Sequence, residues 1–350
     1  MGSIRDEPRR PPSLRIHPPL ANSATPWATT LKDLNRLYSC PHTGAVTTRT
    51  SLIHGFPHDP EVHQHALYDT VAVSGALPKG TSNASFNSLG YSPLLLSEYL
   101  NFIEIISLQQ KELSANGEPG SRSKTFIISV TGTPQEIVEC YHMVSATQAQ
   151  VDIPLALELN LSCPNIPGKP PPAYDGPSLL EYITWLSDLG PTGPVIAVGI
   201  KTPPYTHSTQ YETLISALIA GSPTGLCPIS FITSTNTLGS CLMLTSLDAQ
   251  KGQGQQLQKK VLPGNGLGGM AGTPLHPLSL GNVATIRRLL DEQPDMLGHI
   301  QIIGVGGVCD SGGYRRMRSV GAAVVGVGTG LGVKGVKVFE DIAKGVHDNW

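Results

Sequence analysis

The chain has 350 residues, 39% hydrophobic and 14% charged, with a formal net charge of −2 and a pI near 6.6. That length accommodates one large barrel or two average domains. The slightly acidic balance argues against a nucleic-acid binder, which shows a basic excess, and no apolar run reaches the roughly 18–20 residues of a membrane span.

Residues 1–17 carry Pro8, Pro11 and Pro12 among scattered charges and have no apolar core of a secretory signal. They are expected to form a flexible tail ahead of one domain over 18–350. Cys40, Cys140, Cys163, Cys227, Cys241 and Cys309 are widely spaced, with no CxxC pair and no zinc-ligand spacing. Reduced thiols, no metal and a soluble cytoplasmic protein are the expectation. His54, His58, His63 and His65 lie among prolines and read as solvated loop residues.

In chain order, residues 20–24 read as a short strand, Thr30 to Tyr38 as a helix capped by Thr29 or Thr30, and 44–50 as a β-branched strand. Residues 51–92 look irregular apart from a short strand near Val71, and a section that long without regular elements is usually functional. A helical pattern runs from Pro93 to Leu113. Strands then alternate with helices. The strands are expected at 125–130, 155–163, 195–201, 229–235, 299–305 and 322–327. The helices between and after them begin near Thr133, Leu179, Gln210, Leu280, Gly313 and Lys337, and a Gly/Gln-rich excursion occupies 239–275. Eight strands, most followed by a helix, predict a parallel (β/α)8 barrel. The two irregular stretches leave the C-terminal side of strands and are expected to cover the barrel mouth.

The most informative stretch is Leu157 to Pro170. Leu155, Leu157, Leu159 and Leu161 alternate with Ala156, Glu158, Asn160 and Ser162, and then Pro164, Pro167 and Pro170 forbid further pairing. Asn160, Cys163 and Asn165 therefore sit at or just past a strand's C-terminal end, where parallel folds bind ligands. Lys201 ends the next strand. An ammonium there is costly unless it faces an anion or a partner. Asn236 ends the strand after that, and Asn87 lies in a mouth loop. Four asparagines suit a planar ligand with amide groups and a carboxylate. Gly304-Val305-Gly306-Gly307 and Gly326-Val327-Gly328-Thr329 end the last two strands, where barrels frequently hold a phosphate.

Glu158 to Pro170 closely resembles the active-site segment of class 1A dihydroorotate dehydrogenases. The likeness continues in order through Asn87-Ser88-Leu89-Gly90, Gly199 to Tyr205, Thr235 to Gly239, Gly268 to Gly272, Ile302 to Gly307 and Gly328-Thr329. The resemblance implies an FMN-containing (β/α)8 barrel, a homodimer, that oxidises dihydroorotate to orotate with fumarate as oxidant. It implies Cys163 as general base and Lys201 as the flavin-contacting cation. Asn87, Leu89, Gly90, Asn160, Asn165, Asn236 and Thr237 are implied on the substrate side. Ser23, Ala24, Arg49, Thr50, Asn160, Lys201, Gly268, Gly269, Gly306, Gly307, Gly328 and Thr329 are implied around the cofactor. Three places depart from the family pattern: Ser23-Ala24-Thr25 replaces Ala-Ser-Gly, Arg49 replaces a lysine, and Tyr91-Ser92-Pro93 replaces Leu-Pro-Asn. They keep two alternatives open, a diverged FMN oxidoreductase acting on another small cyclic substrate and a non-catalytic barrel paralogue.

Overall fold

A computed structural model describes residues 10–70, 82–116, 123–163, 171–187, 189, 195–222, 225–246, 258–347 and 350. Its strands are β1 (Leu20–Asn22), β2 (Ala45–Thr47), β3 (His65–Tyr68), β4 (Ala84–Asn87), β5 (Thr125–Val130), β6 (Leu155–Asn160), β7 (Ala197–Thr202), β8 (Phe231–Ser234), β9 (Leu238–Leu242), β10 (Leu244–Ser246), β11 (Gln258–Lys260), β12 (Leu267–Gly272), β13 (Gln301–Val305) and β14 (Val324–Val327). Its helices are α1 (Leu31–Tyr38), α2 (Leu96–Ala115), α3 (Pro134–Gln148), α4 (Gly176–Ser187), α5 (Ser208–Ala220), α6 (His276–Asp291), α7 (Pro294–Leu297), α8 (Ser311–Ser319), α9 (Thr329–Lys334) and α10 (Lys337–Val346).

Eight parallel strands close a barrel in the order β1-β14-β13-β8-β7-β6-β5-β2, the (β/α)8 architecture expected from the alternation. Helix starts follow local chemistry. Thr30 and Thr133 each cap a helix and receive a reciprocal bond from Asp33 and Glu136, and Pro134 takes the first turn of α3, where its missing N–H costs nothing. Ile137, Cys140 and Val144 turn one face of α3 to the barrel. Each fully buried aliphatic side chain of this outer layer contributes roughly 1.5–3 kcal/mol.

The barrel lumen is filled by Ala21, Ala45, Ile127, Ala156, Ala197, Phe231 and Ile303. Gly199 makes room there, because a Cβ at that position would stand 2.4 Å from the Phe231 ring. The small alanines leave the N-terminal end to be closed from outside. Leu14, 5% exposed, and Ile16 do so, with the Leu14 N–H donating to Gln301 Oε1 at 2.8 Å. The segment read from its prolines as a tail is thus packed from Pro11 onward. Prolines exclude a helix but not an extended chain that plugs a barrel.

The described parts of the two mouth excursions hold more strand than their sequence indicated. Residues 51–92 supply β3 and β4, and 239–275 supply β9 to β12. The four strands β3-β4-β12-β9 form an antiparallel sheet over the C-terminal end. Their short lengths and glycines give no clear period of two, and the pairing of β4 with β12 joins segments remote in sequence. Gly268 and Gly269 allow it: added Cβ atoms would lie 2.5 Å from the Asn87 carbonyl oxygen and 2.3 Å from Thr237 Oγ1. The strand expected near Val71 falls outside the described residues.

Candidate active site

The floor of the mouth is built by neighbouring strand ends. Register places Asn160 beside Lys201 and Lys201 beside Thr233. Lys201 is 4% exposed and its ammonium donates to Ser23 Oγ at 3.4 Å. Burial holds its pKa below the usual lysine value, opposed by the charges of Glu158 and Cys163. Glu158, 2% exposed, lies one layer deeper in the lumen. It accepts hydrogen bonds from Ser129 Oγ at 2.8 Å and Thr233 Oγ1 at 2.6 Å. The buried Glu158 carboxyl group thus lies near enough to the buried Lys201 ammonium for their charges to interact, each being bonded to small hydroxyls, an arrangement that is costly to build and more costly to break.

From Glu158 a network runs up to the cleft. Ser129 Oγ meets Thr50 Oγ1 at 2.9 Å, and Asn160 Nδ2 donates to the same Thr50 oxygen at 2.9 Å. Asn160 Oδ1 accepts from Ser162 Oγ at 2.9 Å and from Asn236 Nδ2 at 3.2 Å, while Asn236 Nδ2 also donates to Ser162 Oγ at 3.0 Å. Asn236 Oδ1 accepts from the Thr237 backbone N–H at 2.8 Å. The two amides are locked together, so their orientation is set before any ligand arrives. Asn87, at the end of β4, donates to the Gly269 carbonyl at 3.2 Å and accepts from the Leu89 N–H at 3.2 Å. Asn165 lies outside the described residues.

Opposite this floor stands a wall that sequence reasoning only partly located. Cys163, Arg49 and Tyr91 line the same cleft, joined by Trp27 and His65, whose rings meet edge to face at 5.8 Å. Arg49 Nη2 donates to the Tyr91 carbonyl at 3.1 Å and more weakly to that of Gly90 at 3.4 Å. Burial lowers the Arg49 pKa from its usual value. The Phe56 ring packs edge-on to Tyr91 at 5.8 Å, and Gly90 admits it, since a Cβ there would sit 2.2 Å from the Phe56 ring. Burial first, then the charge of Cys163, pushes the Tyr91 pKa up. Trp27 and His65 carry no motif. Only the folding of β3 over the mouth brings His65 to the cleft.

The far end of the cleft is glycine-lined. Gly306 (φ 141°) and Gly307 (φ 70°) follow β13, and Gly328 and Thr329 follow β14. A Cβ on Gly306 would stand 1.9 Å from Ser279 Oγ, and one on Gly307 would stand 2.7 Å from His276 Cβ. Arg316 Nε donates to His276 Nε2 at 3.1 Å, so His276 carries its proton on Nδ1 and donates it to the Gly306 carbonyl at 2.7 Å. That bond holds the turn still. Ser85 Oγ and Thr329 Oγ1 meet at 2.7 Å beside it. Thr25 lines the cleft with a buried hydroxyl that has no hydrogen-bond partner among the described residues. Ser23, Ala24 and Thr50 line the cleft too, whereas Gly268 and Gly269 stay back in the mouth sheet behind Asn87 and Thr237. The cleft encloses about 1010 Å³ of empty space, part of it open to solvent. A ligand with a phosphate at the glycine end and a planar ring over Lys201 fits this donor set: narrow glycine turns, an unsatisfied hydroxyl and a buried cation. Among the described residues no group of three or more metal-ligating side chains occurs, and no helix is long and apolar enough to cross a membrane.

Residues 79–349 match the family model described as dihydroorotate dehydrogenase. A protein of Streptococcus pneumoniae serotype 4 named as a dihydroorotate dehydrogenase A (fumarate) is 31% identical over 263 residues, covering 74% of this chain and 70% of the relative. A protein of Streptococcus equi subsp. equi carrying the same designation is 31% identical over 268 residues, covering 77% and 73%. One of Streptococcus uberis is 30% identical, covering 75% and 72%. With the barrel, the strand-end residues and these matches together, the chain belongs to the dihydroorotate dehydrogenase family, oxidoreductases that act on a CH–CH bond.

Proposed function

We propose that this protein oxidises dihydroorotate to orotate in pyrimidine biosynthesis, with FMN as hydride acceptor, fumarate as oxidant and Cys163 as general base. The observation that supports the reading is the cleft itself: in a chain of this family, Cys163 lines the same cleft as a buried Lys201 and the locked Asn160–Asn236 pair. The names of the relatives support fumarate as the oxidant. A soluble cytoplasmic homodimer completes the proposal, and sedimentation of the purified chain tests the dimer.

FMN, when bound, supplies the acceptor for the hydride that leaves the substrate ring. Gly306, Gly307, Gly328 and Thr329 would hold its phosphate, with Ser23, Ala24, Arg49, Thr50 and Lys201 around its ring. Lys201 presents a cation where negative charge develops, the electrostatic part of the scheme. Asn87, Asn160, Asn165 and Asn236, with Leu89, Gly90 and Thr237, orient the substrate so that one C–H faces Cys163 and the neighbouring one the hydride acceptor. Cys163 removes the proton beside the ring carbonyl. An unperturbed thiol has a pKa of about 8.5, so at neutral pH the thiolate must be helped by its surroundings.

Visible spectroscopy of the purified protein followed by anaerobic addition of dihydroorotate tests the proposal. Flavin bands that bleach are expected, and Cys163→Ala should keep the bands and lose the bleaching. Bands that persist with dihydroorotate would shift the reading to a different cyclic substrate, for which Arg49 and Tyr91 at the departures are the reason. Absence of flavin would leave a non-catalytic barrel.

A further inference from the structure

The glycine turn after β13 is held from behind by side chains that do not line the cleft. α6 starts against its back, where His276 and Ser279, three positions apart on one helix face, both press on the turn. His276 is buried and stands outside the cleft lining, to which Gly306 and Gly307 belong. Arg316, exposed on α8, donates from Nε to His276 Nε2 at 3.1 Å. That leaves the ring proton on Nδ1, which reaches the Gly306 carbonyl at 2.7 Å. The peptide joining Gly306 to Gly307 is trans, so its C=O and N–H point opposite ways. With the carbonyl fixed on His276, the Gly307 N–H is turned away from α6, to the side of the cleft. It donates to no acceptor among the described residues. An unpaired backbone donor in a glycine turn beside a cleft suits an anionic oxygen.

We propose that His276, held in its Nδ1–H tautomer by Arg316, is the positioning residue of the phosphate turn: by fixing the Gly306 carbonyl it aims the Gly307 N–H at a phosphate monoester. This rests on the reading that FMN places its phosphate there. Glycine loses more conformational freedom on ordering than any other residue, and here two stand in succession. His276 orders them in advance, so binding need not. The tautomer decides the sign of the contact. With the proton on Nε2, a lone pair on Nδ1 would face those of the Gly306 oxygen, and two donors would face each other at Arg316. Neither side chain touches the phosphate; Arg316 acts through His276, and His276 through the backbone.

The test is flavin binding to the purified full chain, freed of bound flavin and titrated with FMN or with riboflavin, which lacks the phosphate. Quenching of flavin fluorescence reads both affinities. His276→Leu keeps most of the bulk and removes the donor. It should weaken FMN about tenfold and riboflavin less than about twofold. His276→Asn can present an amide N–H where Nδ1–H stood, and should recover FMN to within about threefold of the parent chain. Arg316→Leu, on the surface, should weaken FMN in the parent but not in His276→Asn, whose amide has no tautomer to select. It also decides the matter if His276→Leu does not fold. Equal losses of FMN and riboflavin in His276→Leu, or an Arg316→Leu loss undiminished in the His276→Asn background, overturn the proposal. The phosphate reading is judged separately, on the parent chain. A parent that binds FMN no better than riboflavin removes the phosphate from this turn and the proposal with it, whereas a preference for FMN that survives in His276→Leu removes His276 alone.

Discussion

The two sides of the cleft are built on different principles. The floor, at the ends of β6, β7 and β8, is a closed polar network. Glu158, Ser129, Thr50, Asn160 and Asn236 are joined in series by bonds of 2.8 to 3.2 Å, with Lys201 buried among them. The wall, from Arg49 and Tyr91 to His65 and Trp27, stands on loops and on the edge strand β3, held by ring edges and backbone carbonyls. A network in a low-dielectric interior is rigid and intolerant of change, whereas a wall of loops adapts at little cost in stability. The floor therefore suits groups whose positions must stay fixed, and the wall holds Arg49 and Tyr91, two positions at which the resemblance drawn from the sequence breaks down.

The largest effect should come from opening the floor. Glu158→Ala leaves the Lys201 ammonium buried without its counter-charge and should cost about 3–5 kcal/mol in denaturant unfolding. A loss no larger than that of a surface substitution would show that water already reaches Lys201 and that the floor is not closed. Next is the glycine end. Gly306→Ala places a methyl 1.9 Å from Ser279 Oγ and should cost about 1–3 kcal/mol and release bound flavin, measured by absorbance after gel filtration. Retention of flavin by a stable variant would move the phosphate away from this turn.

A third effect probes the opposite end of the barrel. Lys124 is buried, donating to the Leu37 and Cys40 carbonyls and to Thr43 Oγ1 at 3.1 Å, with no carboxylate in an ion pair with it among the described residues. Burial lowers its pKa from 10.5 to about 8. Between those values the unfolded chain holds a proton that the folded chain has released. Stability from this group should therefore rise with pH from about 8 to 10.5 and be flat below, a gain on the order of 3 kcal/mol. Lys124→Met should abolish that slope in thermal unfolding across the same pH range. The smallest effect on stability belongs to the wall. Arg49→Ala removes two hydrogen bonds to carbonyls and should cost only about 0.5–1.5 kcal/mol, while weakening substrate affinity in titrations by tenfold or more. Equal losses of stability in Arg49→Ala and Glu158→Ala would erase the distinction between the two sides.

The barrel and its floor were legible in the residues because they obey local rules. Strand and helix periods, the Thr133-Pro134-Gln135-Glu136 helix start, and the prolines that end the strand before Cys163 all act within a few positions. They identified all eight barrel strands and placed Asn160, Lys201 and Asn236 at neighbouring strand ends. The mouth sheet was not legible, because β4 and β12 pair across a long stretch of chain and are short and glycine-bearing. Nor did composition show that Leu14 and Ile16 plug the lumen, since that depends on how many alanines the strands turn inward.

What the sequence by itself determined is the alternation, and with it a parallel barrel with polar residues at its C-terminal rim, since hydrophobic period and caps are properties of neighbours. What only the tertiary structure decided is which residues come together: Glu158 near Lys201 inside the barrel, and Tyr91 in the same cleft as Cys163. Those pairings are set by barrel closure and sheet register, which bring together side chains that share no local pattern.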